Sequence, residues 1–185
     1  IHMMYTLMSA MNVTYNDGDL TPDEQLELGI RISLSNKIRD YVKRHGNLKI
    51  AFVVPMTSIR KTFKAVFAAS KGTGLKSNMV IGPQDVLKKD YDIVFVDESH
   101  RLARRKGITS YGSFDEACAR LGLDPMVSTQ LDMIQKKSKY SVLVYDGCQT
   151  VKAADLTPEQ FQRSLDLRTR VMHRVTLQTQ MRCEG

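Results

Sequence analysis

YDIVFVDESHRL, residues 91–102, contains four consecutive apolar residues from Ile93 to Val96, and two carboxylates, Asp97 and Glu98, follow them directly. An uninterrupted apolar run of this length is typical of a strand that is buried on both faces, as strands are inside a parallel sheet. In open α/β sheets, ligands bind just beyond the carboxyl ends of the strands. We therefore expect the two acids to lie at a ligand-binding edge.

An apolar strand that ends in Asp-Glu is also the pattern of a Walker B motif. In that motif the first acid holds Mg²⁺, usually through water, and the second polarises the water that attacks a nucleoside triphosphate. The alternative is a buried strand followed by a solvated acidic turn. The pair of acids alone does not decide between these two interpretations.

The composition is that of an ordinary globular protein. The 185 residues are enough for one domain with a hydrophobic core, and 42% are hydrophobic and 25% charged. The net charge of +7 permits an anionic partner, either a nucleotide or a nucleic acid, but does not require one. Clusters of basic residues are more often solvated faces than binding sites, and this chain has two, at Arg101, Arg104, Arg105, Lys106 and at Lys136, Lys137, Lys139.

The cysteines, Cys118, Cys148 and Cys183, are odd in number and far apart, without the spacing of a metal site, and no secretory signal precedes them. This usage predicts free thiols in the reducing cytoplasm. No apolar run approaches the ~18 residues needed to cross a bilayer, so we expect no membrane partner. Residues 1–3 have the composition of a cloning remnant and are left out of the fold prediction.

Helix and strand patterns alternate along the chain. Thr21-Pro-Asp-Glu24 predicts a capped helix that continues to about Arg44, although the alternation from Leu26 to Leu34 also fits a strand. Further strands are predicted at 48–54, 79–81, 141–145 and 171–177, and further helices at 59–67, 84–89, 114–121, 129–137 and from 157. The last of these helices is predicted to start with a second capping box, Thr157 with Gln160. This alternation predicts an α/β fold in three layers, a mostly parallel sheet with helices on both faces.

Two other segments are interpreted as connections. Ser70 to Ser77, SKGTGLKS, lacks the spacing of a phosphate loop and follows a predicted helix rather than a strand, so we expect a turn. The basic, glycine-containing segment from His100 to Gly112 is predicted to be a mobile surface connection.

Polar residues follow three of the predicted strands. Asp97 and Glu98 follow one, Asp146 and Gln149 follow the next, and Gln180 and Arg182 follow the last. Each has a plainer explanation alone, such as a turn cap, a surface side chain or a partner for any carboxylate. Together, a metal-holding acid, a base, an amide and an arginine are what phosphoryl transfer requires.

Four segments carry a resemblance to a known family: VFVDESHRL, VLVYDGCQTV, LQTQMRCEG and AFVVPMTSIRKTF. In this order they resemble a helicase-like P-loop family of uncharacterised proteins, grouped with the schlafen-type nucleotide-binding domains and related to superfamily 1 DNA/RNA helicases. The resemblance covers Leu48 to Gly185, about three quarters of the chain. It implies a RecA-like fold and ATP as a cofactor.

The resemblance also implies residue roles. Asp97 would bind Mg²⁺, Glu98 would activate water, Gln149 would couple the γ-phosphate to a nucleic-acid site, and Arg182 would contact the γ-phosphate.

Further roles follow from the same resemblance. His100 and Gln180 would complete the cofactor contacts, with His100 linking the phosphate site to the strand that leads to Gln149. The nucleic-acid contacts would come from Thr57, Ser58, Arg60 and Lys61.

One departure from the family is large, because no G-x-x-x-x-G-K-[ST] phosphate loop occurs in the sequence. We therefore expect residues 4–185 to be a partial RecA-like motor domain, incomplete at the N-terminus, with its core at 48–185. Such a fragment would be inactive alone, whereas a longer parent would use Mg²⁺ and ATP. The alternatives are a non-catalytic nucleic-acid-binding module and a signalling or defence ATPase on the same fold.

Overall fold

The apolar run at residues 93–96 lies within a central strand in the computed structural model, which describes residues 21–149, 152–166 and 172–176. The strands are β1 (Ile50–Val53), β2 (Val80–Ile81), β3 (Tyr91–Val96) and β4 (Ser138–Leu143). The α-helices are α1 (Pro22–His45), α2 (Thr57–Ala69), α3 (Tyr111–Leu121), α4 (Gln130–Lys136) and α5 (Pro158–Asp166). Short 3₁₀ helices occupy Ser77–Met79, Pro83–Lys88, Ser99–Arg101 and Gly147–Gln149.

The four strands form one parallel sheet in the order β2-β1-β3-β4. β3 pairs with β1 on one side and with β4 on the other, so it is a central strand of the sheet. The predicted α/β class and parallel sheet are therefore confirmed.

Alternate residues of the strands enter two separate cores. Ala51, Val53, Val94 and Val96 face a core that α4 and α5 close with Leu131, Ile134 and Phe161. Ile50, Phe52 and Phe95 face a second core, which α2 closes with Phe67. Helices thus lie on both faces of the sheet, which confirms the three layers.

Two predicted capping boxes are present. The Thr21 backbone N–H donates to the Glu24 carboxylate at 2.8 Å, and the Glu24 N–H donates to the Thr21 hydroxyl at 3.4 Å. Thr157 and Gln160 exchange the equivalent bonds at 3.3 and 3.2 Å before α5. The helical interpretation of residues 22–44 is confirmed, because these caps satisfy N–H groups that a helix start leaves without partners.

The connection between β3 and α3 differs from its prediction. Leu102 is fully buried, the Ala103 N–H donates to the Gln130 side chain at 2.9 Å, and the Arg104 N–H donates to the Ala154 carbonyl at 2.9 Å. A loose surface connection is therefore wrong for this part of the segment. A single leucine among basic residues gives no periodic signal, so its burial was missed.

The strand predicted at residues 171–177 is also not found where the structure describes it. Residues 172–176 belong to neither a strand nor a helix, and Val175 is 80% exposed.

Within the described residues, no helix is both long and apolar enough to cross a bilayer.

Asp92 of β3 connects α1, β4 and the residue before β1 at the amino-terminal edge of the sheet. Its carboxylate accepts hydrogen bonds from the Tyr41 hydroxyl of α1 at 2.6 Å and from the Lys49 N–H at 2.8 Å. Lys139 of β4 lies 2.9 Å away and also donates to the Tyr41 hydroxyl at 2.6 Å. Burial alone would raise the pKa of the Asp92 carboxyl, but hydrogen bonds from Lys139, Tyr41 and Lys49 together lower it to about 2.

This depressed pKa predicts a loss of stability in acid. Because the folded pKa lies below the unfolded value, the stabilisation is complete above about pH 4 and disappears as the pH falls towards 2. We expect the wild-type protein to lose about 2 kcal/mol more than Asp92→Asn over this range, measured by urea unfolding at each pH. Asp90→Asn is the matched control, since Asp90 pairs with Lys137 but is 79% exposed. An equal loss in wild type and Asp92→Asn would contradict the prediction.

Candidate functional site

The carboxyl ends of three strands meet at one edge of the sheet. Val96 of β3 is in register with Val53 of β1 and with Leu143 of β4. The Asp97 N–H donates to the Val53 carbonyl at 3.1 Å, and the Val144 N–H donates to the Val96 carbonyl at 2.9 Å. The two acids therefore lie beside the segments that follow β1 and β4, at the edge where ligands bind in such sheets.

Asp97 is half-buried at this edge. Burial raises the pKa of its carboxyl, and the neighbouring charge of Glu98 raises it further. Both effects disfavour the ionised form, so a cation bound at Asp97 would relieve them.

Glu98 has a left-handed backbone, with φ 49° and ψ 47°, and is the only non-glycine residue with positive φ in the described part of the chain. This conformation costs a residue other than glycine about 1–2 kcal/mol. The Arg101 N–H donates to the Glu98 carbonyl at 2.8 Å, which closes the turn. Strain of this kind persists where surrounding structure enforces it, and it clusters at functional sites.

Ser99 supplies part of that enforcement. It is fully buried, and both its N–H and its hydroxyl donate to the Val144 carbonyl, each at 2.8 Å. The turn after β3 is thereby fixed to the end of β4.

The Glu98 carboxylate turns towards two basic side chains. Its Oε2 lies 3.1 Å from His100 Nε2 and 3.5 Å from Arg101 Nε. His100 is only 1% exposed, so this contact lies inside the protein. Neither nitrogen forms a hydrogen bond with the carboxylate. At these distances charge attraction is possible, and for His100 it requires a protonated ring.

Tyr145 connects His100 to the segment after β4. Its ring stacks on Phe161 with centroids 3.9 Å apart and meets the His100 ring edge-on at 6.3 Å. A Cβ atom at Gly147 would lie 3.2 Å from the Tyr145 ring, so the following turn passes close over it. In the sequence, Tyr145 is the last residue of the predicted strand 141–145, and no role at the site was predicted for it.

The turn after Tyr145 holds its own polar side chains together. Asp146 accepts a hydrogen bond from the Cys148 N–H at 3.0 Å and another from the Gln149 side-chain amide at 2.7 Å. Both Asp146 and Gln149 are exposed. Asp146 thus caps the turn, and Gln149 stays on the same edge as the acids.

Two further residues are predicted to contact the nucleotide, Gln180 as a cofactor-binding residue and Arg182 at the γ-phosphate. Gln180 and Arg182 lie outside the described residues. Their roles stay predictions from the sequence.

The start of α2 lies just beyond the end of β1. Thr57, Ser58 and Lys61 are exposed there. Arg60 instead is half-buried, and its guanidinium donates to the carbonyls of Val54 at 3.1 Å and Pro55 at 3.2 Å. Three of the four predicted nucleic-acid contacts are therefore accessible, whereas the Arg60 side chain holds the end of β1.

Two arginines of the basic cluster after Glu98 form contacts with other parts of the protein. Arg104 Nε donates to the Ala153 carbonyl at 3.0 Å, and Arg105 makes two bonds to Asp115 at 2.6 and 2.8 Å. The fixed fork of an arginine suits such a bidentate pair. Most of this cluster is structural.

The donor set at this edge suits magnesium better than zinc. Within the described ranges, no group of three or more His, Cys, Asp and Glu residues could hold a metal ion. Zinc sites need three or four protein ligands, whereas Mg²⁺ is held by one or two carboxylates together with water and phosphate oxygens. Asp97 is the residue here that fits this second pattern.

Comparison with known proteins gives one match. A family model described as "Schlafen group 3, DNA/RNA helicase domain" matches residues 25–185. No curated protein and no solved structure matches the chain.

The left-handed backbone at Glu98 predicts an unusual stability ranking. Glu98→Gln removes the charge but keeps the strain, whereas Glu98→Gly removes both, since glycine adopts positive φ without penalty. We expect Glu98→Gly to be more stable than Glu98→Gln by about 1 kcal/mol in urea unfolding. Glu116→Gly compared with Glu116→Gln, inside α3, should give the opposite order. Equal stability of the two Glu98 variants would show that the turn is not strained.

Proposed function

Since the chain belongs to the Schlafen group 3 DNA/RNA helicase domain family, we propose that it is the nucleotide-hydrolysing part of an ATP-dependent, helicase-like enzyme that acts with DNA or RNA. The observation that carries this proposal is the arrangement at the carboxyl edge of the sheet. A half-buried Asp97 and a Glu98 in a strained backbone follow the central strand, beside the ends of β1 and β4.

In the proposed reaction Asp97 and Glu98 have separate tasks. Asp97 would hold Mg²⁺, which supplies positive charge to the phosphates when it is bound. Glu98 would accept a proton from the attacking water, because its carboxylate follows the central strand directly and remains 28% exposed. The strain at Glu98 supports a functional reason for its conformation.

The remaining groups are assigned to sensing and coupling. We assign Gln149 to the γ-phosphate on the basis of its place on the same edge, where Asp146 holds its amide until a ligand competes for it. His100, buried between Glu98 and Tyr145, would relay changes between the two turns. Gln180 is assigned to cofactor binding and Arg182 to the γ-phosphate, as the family resemblance implies.

The hydrolysis test uses the full-length gene product, because the 185 residues contain no G-x-x-x-x-G-K-[ST] phosphate loop. In Glu98→Gln we expect kcat for ATP to fall by ~100-fold or more, as expected for loss of a general base. The Kd for Mg-ATP should stay within about threefold, since Gln keeps the shape of the side chain. Phosphate release and equilibrium binding of a fluorescent ATP analogue measure the two quantities.

Glu116→Gln is the control for that experiment, because Glu116 is exposed on α3 and pairs only with Arg120 among the described residues. Unchanged turnover in Glu98→Gln would remove Glu98 from the mechanism. Loss of ATP binding in the same variant would show that its effect is structural.

A nucleic-acid contact at the start of α2 forms the second part of the proposal. The exposed hydroxyls of Thr57 and Ser58 and the exposed ammonium of Lys61 lie near the amino terminus of a helix, where phosphate groups are favoured. The net charge of +7 supports an anionic partner. A non-catalytic nucleic-acid-binding module would use the same contacts without ATP.

We expect Lys61→Ala to weaken binding of single-stranded DNA or RNA uniformly across sequences. It should reduce the slope of log K against log salt by about 1, since one phosphate contact is lost. Fluorescence anisotropy at several salt concentrations measures both effects. Lys43→Ala is the matched control, because this exposed lysine lies in the last turn of α1, near the Asp92 edge. An equal slope in both variants would contradict a contact at Lys61.

The compartment is a further part of the proposal. Cys118 is a free, buried thiol, and burial, followed by the charge of Asp115, raises its pKa to about 11. A protonated, inert thiol is consistent with the reducing cytoplasm, where we place the protein.

A further inference from the structure

The Glu98 carboxylate faces two basic side chains with the same oxygen. Both basic nitrogens near it approach Oε2, with His100 Nε2 at 3.1 Å and Arg101 Nε at 3.5 Å. These are the nearest approaches of the two nitrogens to the carboxylate, and neither is a hydrogen bond. The Glu98 side chain is 28% exposed, so the carboxylate remains accessible to water. The nearest basic groups thus both lie on the Oε2 side of a carboxylate that water can reach.

Arg101 differs from the other arginines of its cluster. Arg104 donates to the Ala153 carbonyl and Arg105 pairs with Asp115, so each has a structural partner away from the acids. Arg101 Nε is buried and makes no hydrogen bond to any described residue, and Glu98 is the carboxylate that it faces. The Arg101 side chain is 23% exposed.

The backbone turn after Glu98 brings the Arg101 side chain close to the Glu98 carboxylate. Glu98 is left-handed, and the Arg101 N–H donates to the Glu98 carbonyl at 2.8 Å across the 3₁₀ turn Ser99–Arg101. The turn therefore places the third residue after Glu98 beside its carboxylate. A guanidinium remains charged at every accessible pH, whereas His100 is charged only when protonated, so Arg101 provides the permanent positive partner.

We infer that Arg101 is a positioning residue for Glu98, an inference that rests on the proposed function. It holds Oε2 so that Oε1 points to the water that attacks the nucleotide. A glutamate has three rotatable side-chain bonds, and a base must be held within about 0.5 Å of its productive place to be effective. Contacts of this kind are often long without a ligand and shorten in the reacting complex.

The kinetic experiment uses the full-length protein. Arg101→Ala should lower kcat for ATP by ~10-fold to 100-fold while KM changes less than about twofold, because a misplaced base affects the reaction rather than binding. Arg101→Lys, which keeps the charge, should recover part of the loss. Arg101→Ala added to Glu98→Gln should cause no further loss, because Arg101 acts through the carboxylate.

Arg104→Ala is the matched control, since it removes an arginine of the same segment whose partner is a carbonyl group. We expect it to retain the wild-type kcat. A full additional loss in the double variant, or a kcat of Arg101→Ala equal to or above that of wild type, would overturn the inference. A kcat of Arg101→Ala above that of wild type would mean that the contact restrains Glu98 instead of positioning it.

A second measurement on the 185-residue chain does not depend on hydrolysis. The Nε–Hε resonance of Arg101 is identified by its disappearance in Arg101→Lys, and we expect Glu98→Gln to shift it. An unshifted resonance would overturn the contact itself. Absence of ATP hydrolysis in the wild-type full-length protein would overturn the proposed function and this role together. Loss of activity in Glu98→Gln but not in Arg101→Ala would overturn the inference alone.

Discussion

The paired hydrogen bonds from Ser99 to the Val144 carbonyl are the constraint on which the candidate site depends. They use both the N–H and the hydroxyl of one buried residue, each at 2.8 Å, to fasten the turn after β3 to the end of β4. With this turn fixed, Glu98 adopts a left-handed backbone that a glutamate otherwise avoids. The local conformational cost is small compared with the burial of the surrounding strands, so the fold maintains it. The direction of the Glu98 side chain follows from that constraint.

The two edges of the sheet have different physical roles. At the amino-terminal edge, Asp92 is surrounded by Tyr41, Lys49 and Lys139, and the contacts of Tyr41 with Asp92 and Lys139 fasten α1 to the strands. At the carboxyl edge, Asp97 is half-buried, and burial together with the charge of Glu98 raises its pKa instead of lowering it. A carboxylate at one edge thus stabilises the fold, while the carboxylate at the other is the one to which the proposed function assigns Mg²⁺. Natural proteins often accept unfavourable local interactions at functional sites and favourable ones elsewhere.

Local signals in the sequence predicted the elements well where each signal had a local physical cause. The Thr21–Glu24 and Thr157–Gln160 boxes identify helix starts because their hydrogen bonds involve residues three apart. The apolar run before Asp97 identifies a central strand because only a strand covered on both sides is apolar throughout. The predictions failed where the cause was distant. Leu102 is buried by packing in the same core as α4 and α5, and residues 172–176 form no strand although their composition favours one.

The sequence by itself determined the α/β class, the order of the central elements and the edge at which Asp97 and Glu98 lie, since these follow from periodicity and from the parallel direction of the strands. Only the tertiary structure decided which polar side chains serve the site. Arg60 and Arg101 are equally basic in the sequence, yet one holds the carbonyls at the end of β1 and the other faces Glu98. Likewise, Tyr145 became part of the site only because its ring meets His100 and Phe161. The reason is physical: a long or aromatic side chain can reach several partners, and packing between distant segments selects among them.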